Sequence, residues 1–176
     1  MLKRFYPDER CASAYEIDYA AWYERGKRAV LFDIDNTLVP HGAPADENAV
    51  ALFQRLHDIG FATCLISNNK EPRVRSFAEK VGSYYLWKAN KPSTRGFLSA
   101  CAMMHAAPEE VLFVGDQLFT DVWGAGRAGI HTILVDPIHP KEEIQIVLKR
   151  KLEWVVLKAY ERDRNAANRR LKTTRK

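Results

Sequence analysis

Val30-Leu31-Phe32-Asp33-Ile34-Asp35-Asn36-Thr37-Leu38-Val39 is an apolar run that breaks into two carboxylates and a hydroxyl. Residues i and i+2 of a strand share a face. A strand over 28–34 therefore brings Asp33 and Asp35 together where it ends. Like charges that close resist joint ionisation. A cation, a shared proton or a division of labour between nucleophile and acid makes use of such a pair.

Outward from this stretch, apolar strands alternate with amphipathic helices. A helix over 46–59 has Asp46 as N-cap and Gly60 as its stop. A strand over 61–66 ends at Ser67-Asn68-Asn69. A helix over 71–81 carries Pro72 in its first turn. A short strand over 83–87 precedes Lys91-Pro92, and a helix spans 93–106. The strand 111–114 ends at Gly115-Asp116; a helix over 119–128 and a strand over 131–135 follow. Such alternation predicts an α/β fold: a Rossmann-like three-layer α/β/α sandwich with a mainly parallel sheet. Residues 1–27, with Tyr15, Tyr19, Trp22 and Tyr23 at helical spacing, read as an N-terminal arm packing on the core. Residues 28–163 form the domain, including a basic helix from about 141, and 164–176 read as a disordered tail.

Composition sets the class. With 176 residues, 47% apolar and 28% charged, the chain suits one globular domain. Met1–Asp8 lacks the apolar stretch of a signal peptide, and no segment has the apolar length of a membrane span. Cys11, Cys64 and Cys101 are too far apart for a CxxC metal site and odd in number; a cytoplasmic setting is expected. The net charge of +5 is uneven: Lys149–Lys176 hold 11 Lys/Arg against 3 Asp/Glu, and the rest of the chain carries −3. The basic helix over 141–163 has two readings: an apolar stripe packed on the sheet, or peripheral contact with an anionic membrane through 141–176 at its inner face. Basic charge without an RNA-binding motif argues against nucleic acid.

In parallel sheets, ligands sit outside the carboxyl ends of the strands. Asp33, Asp35, Ser67 and Asp116 fall there, and Lys91 precedes a helix on the same side. Carboxylates with oxygen-only neighbours suit Mg²⁺; the absence of His and Cys from these motifs argues against zinc. A phosphoryl group in this pocket would meet the cation, Lys91 and backbone N–H groups of the first loop. Asp33 would attack it. Asp35 would protonate the leaving group and then deprotonate water.

The ordered set resembles the haloacid dehalogenase superfamily. Its four motifs correspond to Asp33-Ile34-Asp35-Asn36-Thr37, Ser67, Lys91, and Gly115-Asp116 with Asp121. More narrowly, Phe32–Val39, Ser67-Asn68-Asn69, Lys91-Pro92 and Val114–Asp121 resemble the subclass IIIA phosphatases of the YqeG type. These are related in pattern to phosphatidylglycerophosphate phosphatases. The resemblance implies Asp33 as nucleophile and Mg²⁺ ligand, and Asp35 as acid/base with its carbonyl on the metal. Asp116 and Asp121 would be further ligands. Ser67, Asn68, Lys91 and Thr37 would serve the phosphate, with Thr37 tying the loop. Twenty-nine residues separate Thr37 from Ser67 and 23 separate Ser67 from Lys91, too few for the lid that many superfamily members carry. An open cleft admits a bulky phosphate, or a neighbouring subunit closes it. Two other classes share some of these features: a receiver-like phosphoacceptor, which does not need an acid at Asp35, and a non-catalytic membrane- or RNA-binding scaffold.

Overall fold

The computed structural model describes residues 2–139 and 144–173. Six strands form one sheet, all parallel, in the order β1-β6-β5-β2-β3-β4. They are β1 (Glu9–Cys11), β2 (Ala29–Phe32), β3 (Ala62–Ile66), β4 (Tyr84–Leu86), β5 (Val111–Gly115) and β6 (His131–Val135). The helices are α1 (Tyr19–Glu24), α2 (Glu47–Ile59), α3 (Glu71–Val81), α4 (Thr94–Met103), α5 (Trp123–Arg127) and α6 (Ile144–Thr173). The three-layer α/β sandwich is thus the observed architecture.

Strand period 2 divides the core. Val30 and Phe32 of β2 pack with Leu52, Phe53 and Leu56 of α2 and Val74 and Phe77 of α3. Ala29 and Leu31 face the other way, towards Phe97 and Ala100 of α4 and Ala125 of α5. Both faces of β2 are covered, which is why its four residues are all apolar and all buried. From β2 the chain builds outward through β3 and β4, then returns to β5 on the opposite side of β2. The reversal leaves a crevice at the carboxyl ends of β2 and β5.

Several boundaries differ from expectation. The central strand stops at Phe32 rather than at 34. Its chain then turns, with Leu38 N–H donating to the Ile34 carbonyl at 2.9 Å and Asn36 at φ 62°. The N-terminal arm supplies an edge strand, β1, pairing Glu9–Cys11 with Ile133–Val135. Thr132 N–H and Oγ1 both donate to the Asp8 carboxylate at 2.8 Å, fixing that edge. The expected helix 119–128 is a π-helical turn, Leu118–Val122, continued by α5. The tail expected to be disordered from 164 is helical through Thr173; Ala166, Ala167, Arg169 and Arg170 are strong helix formers, and no Gly or Pro interrupts them. The start of the basic helix at 141–143 and the end of the tail at 174–176 lie outside the described residues. Among the described residues, no helix is long and apolar enough to cross a membrane.

Candidate active site

Asp33 follows β2, Ser67 follows β3 and Asp116 follows β5. The crevice between β2 and β5 therefore collects them without any special fold device. Asp33, Asp116 and Asp121 are buried, and each offers a carboxylate oxygen within 4.8 Å of the others. Lys91 Nζ donates to Asp33 Oδ1 and to Asp121 Oδ1, both at 2.7 Å. A single buried ammonium thus stands between two of three buried carboxylates.

The charge balance is incomplete. Burial pushes the Asp33 carboxyl well above the usual carboxylate range; Lys91 draws it down, and Asp121 and Asp116 add to the rise. Burial opposes the charge on Lys91, but Asp121 and Asp33 outweigh it and raise its pKa. A hard divalent cation fits this donor set: three carboxylate oxygens close together, none from His or Cys.

Each ligand has its own support. Thr37 Oγ1 donates to Asp116 Oδ1 at 3.2 Å, tying the loop after β2 to the end of β5. Gln117 N–H donates to Asp121 Oδ2 at 3.1 Å, and Asp121 N–H returns a bond to the Gln117 carbonyl at 3.0 Å. Gly115 has a steric reason: a Cβ there would stand 2.7 Å from Asp121 Oδ2 and from Phe113 Cε1. The Gly-Asp pair at the end of β5 thus leaves room for the second acid of its own motif.

Asp35 lies outside this cluster. Because β2 ends at Phe32, Asp33 and Asp35 do not share a strand face, and the i, i+2 expectation is corrected. Asp33 takes Lys91. The Asp35 carboxylate accepts from Gly42 N–H at 2.8 Å, Asn69 Nδ2 at 2.6 Å and Arg73 Nη2 at 3.1 Å. Arg73, on α3, was not singled out from the sequence. Its place on an amphipathic helix reads as solvent face, and only the fold turns it towards the crevice.

Asn68 is placed against Lys91. Its amide donates to the Lys91 carbonyl at 3.2 Å, and its Oδ1 accepts from Lys91 N–H at 2.8 Å. Asn68 thus braces the Lys91 backbone through its Oδ1 and one of its two amide N–H donors. The buried Ser67 hydroxyl accepts from Asn69 N–H at 3.2 Å, a bond that leaves its own proton available for donation. Ser67, Asn68, Asn69 and Lys91 form one connected support. Thr37 reaches Asp116, as described, and so ties the loop after β2 to the end of β5.

Comparison with known proteins agrees with this geometry. The haloacid dehalogenase-like hydrolase family matches residues 41–129, which include Ser67, Lys91, Asp116 and Asp121. The probable phosphatase YqeG of Bacillus subtilis is 35% identical over 92% of this chain and 95% of its own length. Phosphatidylglycerophosphate phosphatase 1 of Arabidopsis thaliana is 28% identical, covering 82% of this chain and 44% of that longer protein. The crystal structure of a HAD-superfamily hydrolase from Ehrlichia chaffeensis superposes with a TM-score of 0.52 at 18% identity, over 61% of this chain and 88% of that one. Sequence motifs, sheet order and relatives converge: the chain belongs to the haloacid dehalogenase-like hydrolases.

Proposed function

We propose that the chain is a Mg²⁺-dependent phosphatase that hydrolyses a phosphate monoester through a phospho-aspartate at Asp33. The observation that carries this reading is Lys91 Nζ at 2.7 Å from both Asp33 and Asp121, within the buried carboxylate cluster at the β2/β5 crevice. Mg²⁺ held by Asp33, Asp116 and Asp121 would supply positive charge against the phosphoryl oxygens. Asp33 attacks phosphorus, and the bond from phosphorus to the alkoxide oxygen breaks. Asp35, once it has taken up a proton from solvent, gives it to the departing oxygen, then takes one from the water that attacks the acyl phosphate, releasing phosphate and restoring Asp33. Ser67 donates to a phosphoryl oxygen. Lys91 neutralises the nucleophile before attack and the phosphoryl group during it.

The relative from Arabidopsis thaliana supports a lipid phosphate as substrate, and so does the exposed side of α6. There Lys151, Trp154, Val155, Lys158 and Arg162 fall at i, i+3, i+4, i+7 and i+11, one stripe of the helix. Trp154 and Val155 are 57% and 51% exposed, beside Leu152 at 60%. Lys158 Nζ lies 3.9 Å from the centroid of the Trp154 ring. An apolar strip flanked by cations suits the surface of an anionic membrane. The test is phosphate release from a panel of monoesters that includes a lipid phosphate in detergent. The reading expects the lipid phosphate to be turned over with the highest kcat/KM. A clear preference for a small soluble monoester would overturn the substrate class while leaving the chemistry intact.

A further inference from the structure

Glu153 is almost fully buried on α6, a helix otherwise rich in exposed charge. Burying a carboxylate is costly unless it is well bonded. Its Oε1 accepts from Leu118 N–H at 2.7 Å. Leu118 opens the π-helical turn Leu118–Val122, whose preceding residue, Gln117, gives no side-chain cap. The first amides of such a turn need an acceptor from elsewhere, and a negative charge at that end is favourable. Four bonds then link α6 to Lys91. Glu153 fixes the Leu118 amide. Gln117, the next residue back, exchanges two bonds with Asp121, one to its carboxylate and one from its backbone. Asp121 Oδ1 finally meets Lys91. Apolar contact runs along the same path, through Val156 of α6 with Leu118, Val122 and Leu134.

We propose that Glu153 is a positioning residue for the metal ligand Asp121, so that α6 is a working part of the metal site. The inference rests on the metal-binding reading of the carboxylate cluster. It goes beyond that reading by assigning a role to a helix outside the segment 41–129 that matches the family. Binding energies of sites joined in this way are reciprocal: what fixes the bond from Leu118 N–H to Glu153 tightens the metal, and metal binding steadies that bond.

The test is Mn²⁺ binding to the full chain, followed by the electron paramagnetic resonance of the free ion. Glu153→Ala is expected to raise the Mn²⁺ Kd about tenfold or more, the usual scale for partners that orient a metal ligand. Glu153→Gln keeps an acceptor oxygen and is expected to stay within about threefold of wild type. Val156→Ala loosens the same helix without touching the bond and is expected to stay within about twofold. Unchanged binding in Glu153→Ala, or an equal loss in Val156→Ala, would overturn the proposal while leaving the metal reading standing. Wild-type protein that binds no Mn²⁺ would overturn both. Should Glu153→Ala fail to fold, hydrogen exchange on the wild-type chain decides. Mg²⁺ is expected to slow exchange at the Leu118 amide, and an unchanged rate would contradict the role.

Discussion

Arg73 Nη2 lies 3.1 Å from Asp35 Oδ1, so the carboxylate two residues beyond Asp33 is tied to α3, whereas Asp33 itself is tied to Lys91. Asn69 grips the other oxygen, Oδ2, at 2.6 Å. The two acids therefore have separate electrostatic settings, one in the metal cluster and one in a clamp. Their spacing in sequence placed them in one loop; the turn after Phe32 divided their roles.

This clamp predicts a dependence on the leaving group. Asp35→Asn is expected to lower kcat on an alkyl phosphate by about 10²- to 10⁴-fold, the range for a positioned acid. An aryl phosphate, whose phenolate leaves without a proton, is expected to lose far less. Arg73→Ala misplaces Asp35 and is expected to cost about tenfold or more on the alkyl ester, with the same relief on the aryl ester. Equal losses on both esters would assign Arg73 to stability instead.

Asp33 predicts how stability varies with pH. Burial raises its carboxyl from 3.8 to about 8, against the pull of Lys91. The folded chain then keeps a proton that the unfolded chain has already lost. Without metal, its contribution falls as pH rises from about 4 to about 8. Asp33→Asn is neutral throughout, so wild-type stability relative to this variant is expected to decline across that window in EDTA. Mg²⁺ needs the ionised carboxylate, and its stabilising effect is expected to be larger at about pH 8 than at about pH 5. Thermal unfolding with and without Mg²⁺ checks both statements; a metal-free difference that grows with pH would contradict the first.

Gly124 predicts a packing cost close to the site. A Cβ there would stand 2.5 Å from Phe97 Cε2 and 3.1 Å from Pro92 Cα, directly after Lys91. The Pro92 backbone cannot rotate aside as a side-chain tip can. Gly124→Ala is expected to destabilise by about 1–3 kcal/mol, read as a lower denaturant midpoint. An unchanged midpoint would mean that α4 and α5 are less tightly packed than these contacts imply.

The parts of this site that lie at strand ends were legible in the sequence. Asp33, Ser67 and Asp116 each close an apolar run, and period and composition reveal such runs directly. Lys91 was legible through its motif. Residues that act from helix faces were not. Arg73 and Glu153 look like ordinary solvated charges until the packing of α3 and α6 shows what they face. The bonds from Asn68 to Lys91 were not legible either, because an Asn after a strand has many possible partners and only the fold brings the Lys91 backbone to it. Strand β1 was missed because Glu9-Arg10-Cys11 is three residues long at a sheet edge, too short and polar for any periodic signal. The π-helical turn that carries Asp121 leaves no mark on hydrophobic period, and a helix was the natural expectation there.

The central claim is that Asp33 becomes phosphorylated. Its most direct measurement is mass spectrometry of protein quenched in acid during turnover of an aryl phosphate with Mg²⁺. The account predicts a covalent phosphate on the peptide that contains Asp33, absent in Asp33→Asn and in EDTA, where phosphate release also stops. Sustained phosphate release by Asp33→Asn, or covalent phosphate on any other residue of the turning-over wild-type enzyme, would contradict it.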